Sequence, residues 1–236
     1  MAAAHMKKKG KRLVLLDIDG TLLDTHGFGR EAFIHGLERV TGERDELAYV
    51  SFAGNADRNV LDQVMAARKL RLAEKDIQRI FACIAEELRE RLRENPAQEI
   101  AGAGTFLERL DAEGAGLGLV TGNIRECAYL KLGSVGFDRF FGFGGFGDEH
   151  ANRANIARMA LAAAKEAGFD AAEGRACLVG DTPFDVAAGL DVGLLVIGVA
   201  TGKYGEDALR YAGASIAVPN LSDAGRLLSW MDGSLQ

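Results

Sequence analysis

The residues that suggest chemistry most directly are two aspartates that follow the apolar run Leu13-Val14-Leu15-Leu16. Asp17 and Asp19 are separated by one residue and are followed by Gly20 and Thr21. Two carboxylates this close repel each other, so they require a cation or a shared proton. Mg²⁺ prefers oxygen ligands, and with it one carboxylate can act as an ionised nucleophile while the other transfers protons. Taken alone, the segment is equally typical of a surface loop with two solvated aspartates.

A hydroxyl group and two backbone amides follow a second apolar run, Leu119-Val120. The residues are Thr121, Gly122 and Asn123, and a helical pattern begins directly after them. Free amides at the start of a helix, together with a hydroxyl group, form a site for phosphate oxygens. Taken alone, the three residues are more typical of an ordinary helix N-cap.

A third apolar run, Leu178-Val179-Gly180, ends in acidic residues. Asp181 follows it directly, and Asp185 lies four residues further on. The two carboxylates are suitable additional oxygen ligands for one metal ion. Asp181 would also suit the N-cap of a helix that begins near Pro183. Because all three motifs follow apolar runs, one shared site explains them better than three unrelated loops.

These motifs require a scaffold that brings strand ends together. Several short apolar runs end in Gly, Asp or Thr, as buried parallel strands do. The runs are 13–16, 117–120, 176–179, 194–199 and 215–218. Segments with helical spacing, such as 124–132 and 155–167, alternate with them. We therefore expect an α/β fold with a Rossmann-like parallel sheet, in which ligands bind beyond the carboxyl ends of the strands.

The long interval between the first two runs has a different, helical pattern. Apolar residues recur at helical spacing in three segments. These segments are 30–40, 59–67 and 76–93. We expect a helical cap domain at 26–96, inserted into a core domain made of 11–25 and 97–236. Residues 1–10 resemble a flexible leader or tag and are left out of the fold prediction.

Composition argues against several classes of protein. The net charge of −6 argues against nucleic-acid binding, because such affinity depends on clustered Lys and Arg. No apolar run is long enough to span a membrane. The widely spaced Cys83, Cys127 and Cys177 form no metal-type pair and indicate reduced thiols. We therefore expect a cytoplasmic protein, monomeric or homodimeric, that binds neither nucleic acid nor membranes.

The order and spacing of the three motifs resemble the haloacid dehalogenase superfamily, in particular its phosphoglycolate-phosphatase-like members with a helical cap. The matching segments are 17–25, 120–123 and 180–185. The resemblance implies that Asp17 is the nucleophile and forms an aspartyl-phosphate. It also implies that Asp19 protonates the leaving oxygen and later takes a proton from water. An Asp in that place is typical of the phosphatases and phosphomutases of the superfamily, whereas its dehalogenases lack it.

The resemblance also implies an Mg²⁺ ion and a phosphate cradle. The metal ligands would be Asp17, Asp19 through its backbone carbonyl, Asp181, and Asp185 as a ligand or as the partner of one. The phosphoryl group would contact Gly20, the Thr121 hydroxyl and the amides of Gly122 and Asn123.

One part of the family pattern is missing, a Lys, often followed by Pro, some two dozen residues before the metal-binding acid. The equivalent position falls near Arg153, and Arg158 and Lys165 are alternatives. We favour Arg153, because both alternatives suit the outer face of a helix. Arg153 would keep the positive charge that faces the phosphoryl group, although as a fork rather than as a point charge.

Together these features predict a Mg²⁺-dependent phosphatase that acts on a small phosphorylated metabolite. The same core and cap would also suit a sugar phosphomutase of the beta-phosphoglucomutase type. A catalytically silent binding protein is a third hypothesis, which the complete set of acidic residues disfavours. Asn55, Asp57 and Arg58 in the cap, and Arg30 near its hinge, are candidate substrate contacts.

Overall fold

A parallel sheet forms the centre of the chain in the structure, a computed structural model that describes residues 12–171 and 176–233. In chain order, the strands within these residues are β1 (Leu13–Leu16), β2 (Leu23–Asp24), β3 (Gln98–Glu99), β4 (Gly116–Val120), β5 (Phe143–Gly145), β6 (Ala176–Gly180), β7 (Leu195–Val199) and β8 (Ile216–Val218). Six of them form one parallel sheet in the order β5-β4-β1-β6-β7-β8. The predicted α/β fold is therefore confirmed. The leader predicted at 1–10 lies outside the described residues.

Helices connect these strands. In chain order they are α1 (Phe28–Thr41), α2 (Asp57–Arg68), α3 (Glu74–Glu94), α4 (Ala103–Ala112), α5 (Arg125–Ser134), α6 (Arg153–Glu166), α7 (Pro183–Asp191), α8 (Glu206–Tyr211) and α9 (Ala224–Met231). Alternate residues of β1 belong to two different hydrophobic clusters, Val14 and Leu16 to one and Leu13 and Leu15 to the other. Because side chains alternate across a strand, both faces of the sheet are covered.

The position of β1 determines where the motifs meet. β1 lies between β4 and β6, and Leu16 at its end is opposite Leu119 and Val179. The chain passes from β1 to β4 and β5 on one side, and then returns to β6, β7 and β8 on the other. The carboxyl ends of β1, β4 and β6 are thus neighbours at the point where strand order reverses, which is the usual ligand-binding position in such sheets.

Three helices, α1 to α3, lie between β2 and β3 and form what is called here the helical insertion. α3 is strongly amphipathic, with Ile77, Ile80, Ile84 and Leu88 buried along one face. Gly36 of α1 allows close packing against α3, because a Cβ there would lie 2.5 Å from Ile84 Cγ1. The antiparallel pair β2–β3 joins the two ends of the insertion to the core.

The sequence pattern located five of the six strands of the large sheet to within a residue or two, but β5 was not among the predicted runs. Leu194 was expected in a strand, but β7 begins at Leu195. The helices of the insertion extend past the predicted segments at both ends, because most of the added end residues are polar or glycine and carry no periodic signal. All three cysteines are unpaired. No helix among the described residues combines the length and the apolar character that crossing a bilayer requires.

Candidate active site

Asp17 lies directly after β1, where the backbone leaves the sheet. Its amide still donates to Val179 O at 2.9 Å, so the carboxylate is held at the edge formed by the strand ends. Its side chain is only 7% exposed. Gly20 has a φ of 78°, a left-handed conformation that favours glycine. This tight turn brings the Thr21 hydroxyl to 3.2 Å from Asp181 Oδ1, which links the first and third motifs.

Arg153 is the cation that faces Asp17. It is the first residue of α6, and the side chain of Asn152 caps this helix by accepting from the Ala154 and Asn155 amides. Its Nη2 lies 2.7 Å from Asp17 Oδ1 and 2.6 Å from Asp185 Oδ1, and its Nε donates to Asp185 Oδ1 at 2.8 Å. The guanidinium group therefore connects the carboxylate after β1 with the one in α7.

The two alternative cations lie away from the cavity that contains Asp17. Arg158 pairs with Asp191 on an exposed part of the surface. Lys165 is exposed near the end of α6. The structure thus brings Arg153, rather than Arg158 or Lys165, to the predicted nucleophile.

Three buried carboxylates form a cluster that suits a hard divalent cation. Asp17, Asp181 and Asp185 each offer an oxygen, and these oxygens lie within 4.8 Å of one another. The Oδ1 atom of Asp185 accepts from Arg153, and its Oδ2 atom accepts from the Thr182 amide and hydroxyl. We infer that Asp17 and Asp181 are the better direct ligands, and that Asp185 orients Arg153.

Glycines keep the space beside Asp181 open. A Cβ at Gly202 would lie 1.8 Å from Asp181 Oδ2, and a Cβ at Gly20 would lie 2.6 Å from the same atom. The oxygen donors, their burial and this cradle all fit Mg²⁺, which prefers oxygen ligands.

The electrostatics of the cluster also call for a cation. Burial raises the pKa of Asp17 to about 7, against the opposing charge of Arg153 and with a further increase from Asp185 and Asp19. Burial, with the charges of Asp17 and Asp185, raises the pKa of Asp181 to about 8. Desolvation lowers the pKa of Arg153, but the two carboxylates beside it raise that pKa by more. A divalent cation would stabilise the ionised carboxylates at neutral pH.

The second motif lies beside the first, as its position after β4 predicted. Thr121 is fully buried, and its Oγ1 accepts from the Asn123 amide and from Asn123 Nδ2. The hydroxyl proton remains available for a phosphoryl oxygen. Gly122 must lack a side chain, because a Cβ there would lie 2.0 Å from Asn55 O. The Asn123 side chain also donates to Asp19 Oδ2 at 2.7 Å, a contact that the motif alone did not indicate.

Sequence reasoning missed Lys131 of α5. Its Nζ lies 2.8 Å and 2.7 Å from the two carboxylate oxygens of Asp19, and its side chain is 4% exposed. Desolvation lowers the pKa of Lys131, and the charge and hydrogen bonds of Asp19 raise it by more. Its spacing carried a signal, because it lies four residues after Cys127 and three after Ala128 on the buried face of α5. A charged residue on such an apolar stripe is unusual and indicates a specific partner.

The helical insertion contacts the same edge of the core. The amide of Asp57 donates to Gly122 O at 2.7 Å, and its Oδ2 accepts from the Ile124 amide at 2.8 Å. The Arg58 amide donates to Gly147 O, whereas its guanidinium group lies 3.4 Å from Asp62 and from Glu74. Asp57 therefore fastens α2 to the loop after β4.

A cavity of about 310 Å³ remains between the insertion and the core. Its lining is charged on the core side, where Asp17, Asp19 and Arg153 lie, and apolar on the opposite side. The apolar side includes Phe33, Phe52, Ile84 and Leu88. Asn55 and Arg30 also line the cavity. The Arg30 guanidinium donates to Glu46 O at 2.7 Å and lies 5.6 Å from the Phe52 ring centroid.

The chain is similar to known proteins in sequence and in fold. Residues 14–199 match a family model described as haloacid dehalogenase-like hydrolase. "Probable phosphatase IndB" of Dickeya dadantii (strain 3937) is 27% identical over 218 residues, or 90% of this chain and 91% of that protein. A hydrolase from Pseudomonas syringae has a TM-score of 0.71 at 21% identity, covering 96% of this chain and 100% of that one. Mutant CbbY from Rhodobacter sphaeroides, in complex with xylulose-(1,5)bisphosphate, has a TM-score of 0.71 at 19% identity, over 90% of this chain and 96% of that one.

Proposed function

Because the chain belongs to the haloacid dehalogenase-like hydrolase family, we propose that it is a Mg²⁺-dependent phosphatase that acts on a small phosphate monoester. The expectation of a hydrolase of this family is confirmed, and the relative named a phosphatase agrees with it. The observation that carries the finer proposal is the ion pair between Asp17 and Arg153, 2.7 Å long, beside the carboxylate of Asp181. A nucleophile, a cation for the phosphoryl group and a metal ligand thus share one cavity.

The first step would transfer the phosphoryl group to the protein. An Asp17 carboxylate oxygen attacks phosphorus, the bond from phosphorus to the ester oxygen breaks, and Asp19 gives its proton to that oxygen. Arg153 and the Thr121 hydroxyl would stabilise negative charge on the transferring group. The products of this step are the alcohol and an aspartyl-phosphate.

The second step would regenerate Asp17. Asp19, now ionised, takes a proton from water as the water oxygen attacks phosphorus, and the bond between phosphorus and the Asp17 oxygen breaks. Inorganic phosphate leaves, and Asp19 is again protonated for the next cycle. The ligands of Mg²⁺ would be Asp17, Asp181 and the backbone carbonyl of Asp19. Asp185 would orient Arg153 beside them. The bound ion supplies positive charge that offsets the negative charge of the phosphoryl group.

The helical insertion would act as the cap that closes over the substrate. We assign 26–96 to this cap and 11–25 with 97–236 to the core, in a cytoplasmic enzyme for a small phosphorylated metabolite. The cavity of about 310 Å³ between the two parts supports a small substrate. The apolar side chains opposite the carboxylates would exclude water from the reacting group.

Phosphate release from p-nitrophenyl phosphate, with Mg²⁺ and with excess EDTA, tests this proposal. We expect turnover that requires Mg²⁺ and that Asp17→Asn abolishes, while the control Asp62→Asn on the exposed face of α2 keeps wild-type rates. A wild type that releases no phosphate across a broad range of pH and metals would contradict the phosphatase proposal. An active Asp17→Asn variant would contradict the assigned nucleophile.

A phosphomutase on the same core would give a different result. Wild-type protein would convert a sugar 1-phosphate to its 6-phosphate without net phosphate release. We expect instead that phosphate appears in proportion to the substrate consumed, which ³¹P NMR measures directly.

A further inference from the structure

The buried charge of Lys131 has no role in the chemistry described so far. Lys131 belongs to α5, outside the three motifs, and its side chain is 4% exposed. Burying an ammonium group costs free energy unless it is paired and hydrogen-bonded. Lys131 is nevertheless buried, and it contacts Asp19, the residue proposed to transfer protons.

The hydrogen bonds of Lys131 are fully used. An ammonium group has three donors. Nζ lies 2.8 Å from Asp19 Oδ1, 2.7 Å from Asp19 Oδ2 and 2.6 Å from Asn123 Oδ1. Since three acceptors already surround the ammonium group, it has no donor left for a phosphate oxygen. Lys131 is therefore arranged to hold side chains rather than to bind substrate.

Asn123 extends this arrangement to the phosphate-binding loop. Its side-chain Nδ2 donates to Asp19 Oδ2 at 2.7 Å and to Thr121 Oγ1 at 2.8 Å, while its side-chain Oδ1 accepts from Lys131. One connected network thus joins the hydroxyl that would contact the phosphoryl group to the carboxylate that would protonate the leaving oxygen. A change in the orientation of Lys131 would alter the positions of both the Thr121 hydroxyl and the Asp19 carboxylate.

The surroundings leave room for this side chain. Gly29, at the start of α1, faces it, and a Cβ there would lie 3.4 Å from Lys131 Nζ. Asp19 itself is open to the cavity, with a side chain that is 42% exposed. A carboxylate so exposed has several accessible rotamers unless a partner restrains it.

We propose that Lys131 is a positioning residue that holds the side chain of Asp19, so that its carboxyl group, when protonated, faces the leaving oxygen of the phosphate ester. The inference rests on the proposed phosphatase activity and names a residue that the family motifs do not include. Lys131 acts through Asp19, so its effect is largest where the leaving oxygen most needs a proton.

Two esters with different leaving groups separate this role from a structural one. The p-nitrophenolate ion leaves without a proton, whereas the alkoxide of glycerol 1-phosphate must be protonated as it leaves. For Lys131→Met we expect kcat/KM to fall about 100-fold on glycerol 1-phosphate and less than about fivefold on p-nitrophenyl phosphate. The kcat/KM value reports the step up to formation of the aspartyl-phosphate, so slow hydrolysis of that intermediate does not mask the difference.

Both esters are measured on the same preparation, so the ratio of the two rates does not depend on the fraction of folded protein. Lys131→Gln repeats the test with a side chain that can still donate hydrogen bonds. Lys75→Met, which removes an exposed lysine of α3, is the matched control and should leave both rates unchanged. Equal losses on the two esters would overturn the proposed role of Lys131.

A double-variant cycle with Asp19→Asn completes the test. If Lys131 acts through Asp19, Lys131→Met causes no further loss of kcat/KM on glycerol 1-phosphate in the Asp19→Asn background. Independent losses that multiply would overturn the inference. Wild-type turnover of both esters keeps these outcomes separate from failure of the phosphatase proposal, in which neither ester would be hydrolysed.

Discussion

The guanidinium group of Arg153 contacts two carboxylates, that of Asp17 through Nη2 and that of Asp185 through both Nη2 and Nε. Nη2 lies 2.7 Å from Asp17 and 2.6 Å from Asp185, and Nε also binds Asp185. The ammonium group of a lysine could approach both carboxylates but could not provide two donors in one plane. The arginine thus fixes the orientation of Asp17 relative to α7 as well as supplying charge.

Substitutions of Arg153 separate the effect of its charge from the effect of its second contact with Asp185. For Arg153→Met we expect kcat on p-nitrophenyl phosphate to fall at least about 100-fold, because a donor aimed at the developing charge is lost. For Arg153→Lys we expect an intermediate loss of about 10-fold, because the charge remains without the second contact. Lys165→Met is the control and should have wild-type kcat, since this side chain is exposed on α6.

Asp57 gives a prediction about pH and stability. Burial raises the pKa of Asp57 to about 6, although Lys131 and the Ile124 amide oppose the shift. A carboxyl group with a raised pKa holds its proton more tightly in the folded state. The cost of ionising it is absent below about pH 4, grows as the pH rises, and is complete above about pH 6.

Asp57→Asn removes this cost and keeps an oxygen that can accept from the Ile124 amide. We expect the free energy of unfolding of the variant, relative to that of wild type, to increase by about 1 to 2 kcal/mol between pH 4 and pH 7. This is less than the full pKa shift would give, because the side chain is only partly buried. Urea denaturation of both proteins in EDTA at the two pH values measures this difference in the free energy of unfolding. A difference that stays constant with pH would contradict the prediction.

Residue type decided which parts of the site the sequence could reveal. Asp17, Asp181 and Thr121 follow apolar runs, and the common carboxyl edge of parallel strands brings them together. Lys131 lies on the buried face of α5, and its spacing indicates burial but does not identify a partner, since lysines are usually solvated. Only the packing of α5 against the core shows that its charge faces Asp19.

At the level of elements, the site depends on the loops that follow four strands. Loops after β1, β4 and β6 supply Asp17, Thr121 and Asp181, and the loop after β7 supplies the glycine beside Asp181. Thr201 in this last loop also donates to Gly20 O, which connects it to the turn after β1. The position of Asp181 is therefore sensitive to the β7–α8 loop.

Gly202→Ala tests this dependence. A Cβ at position 202 would lie 1.8 Å from Asp181 Oδ2, so the carboxylate must move away from the cluster. We expect the Mg²⁺ concentration for half-maximal activity to rise about tenfold or more, because small displacements of a ligand weaken a site that needs near-ideal octahedral geometry. Gly205→Ala in the same loop should leave it unchanged, as a Cβ there meets nothing within 4 Å.

Element length decided which parts of the fold the sequence could reveal. Runs such as 176–179 were long and apolar enough to be identified as strands, and β6 confirms that one. β2 and β3 have two residues each and were not predicted, because alternation cannot be detected over so short a length. The pairing of Leu23 with Glu99 across the insertion is a tertiary contact that local pattern does not contain.

For the molecule as a whole, the buried carboxylates predict how Mg²⁺ affects stability. With pKa values of about 7 for Asp17 and about 8 for Asp181, ionising the cluster without a cation costs free energy that grows as the pH rises to about 8. Below these values the ion must also displace protons. Mg²⁺ should therefore stabilise the protein more at pH 8.5 than at pH 6.

Thermal unfolding at the two pH values checks this expectation. At ten times its Kd a ligand contributes about 1.4 kcal/mol, which for a chain of this size raises Tm by about 3 to 5 °C. We expect that increase at pH 8.5 and a smaller one at pH 6. Asp181→Asn should remove most of it, and an equal increase in that variant would show that Mg²⁺ binds elsewhere.

The short ribbon β2–β3 has a consequence for how this architecture can vary. Its two strands carry the chain out of the core and back, and paired strands lie about 5 Å apart. The 73 intervening positions between Leu23–Asp24 and Gln98–Glu99 therefore leave the core and return to it at adjacent points, whatever their length. Another folded module with adjacent termini could enter the chain at this junction, provided that it also replaces the contacts that Asp57 makes with the loop after β4.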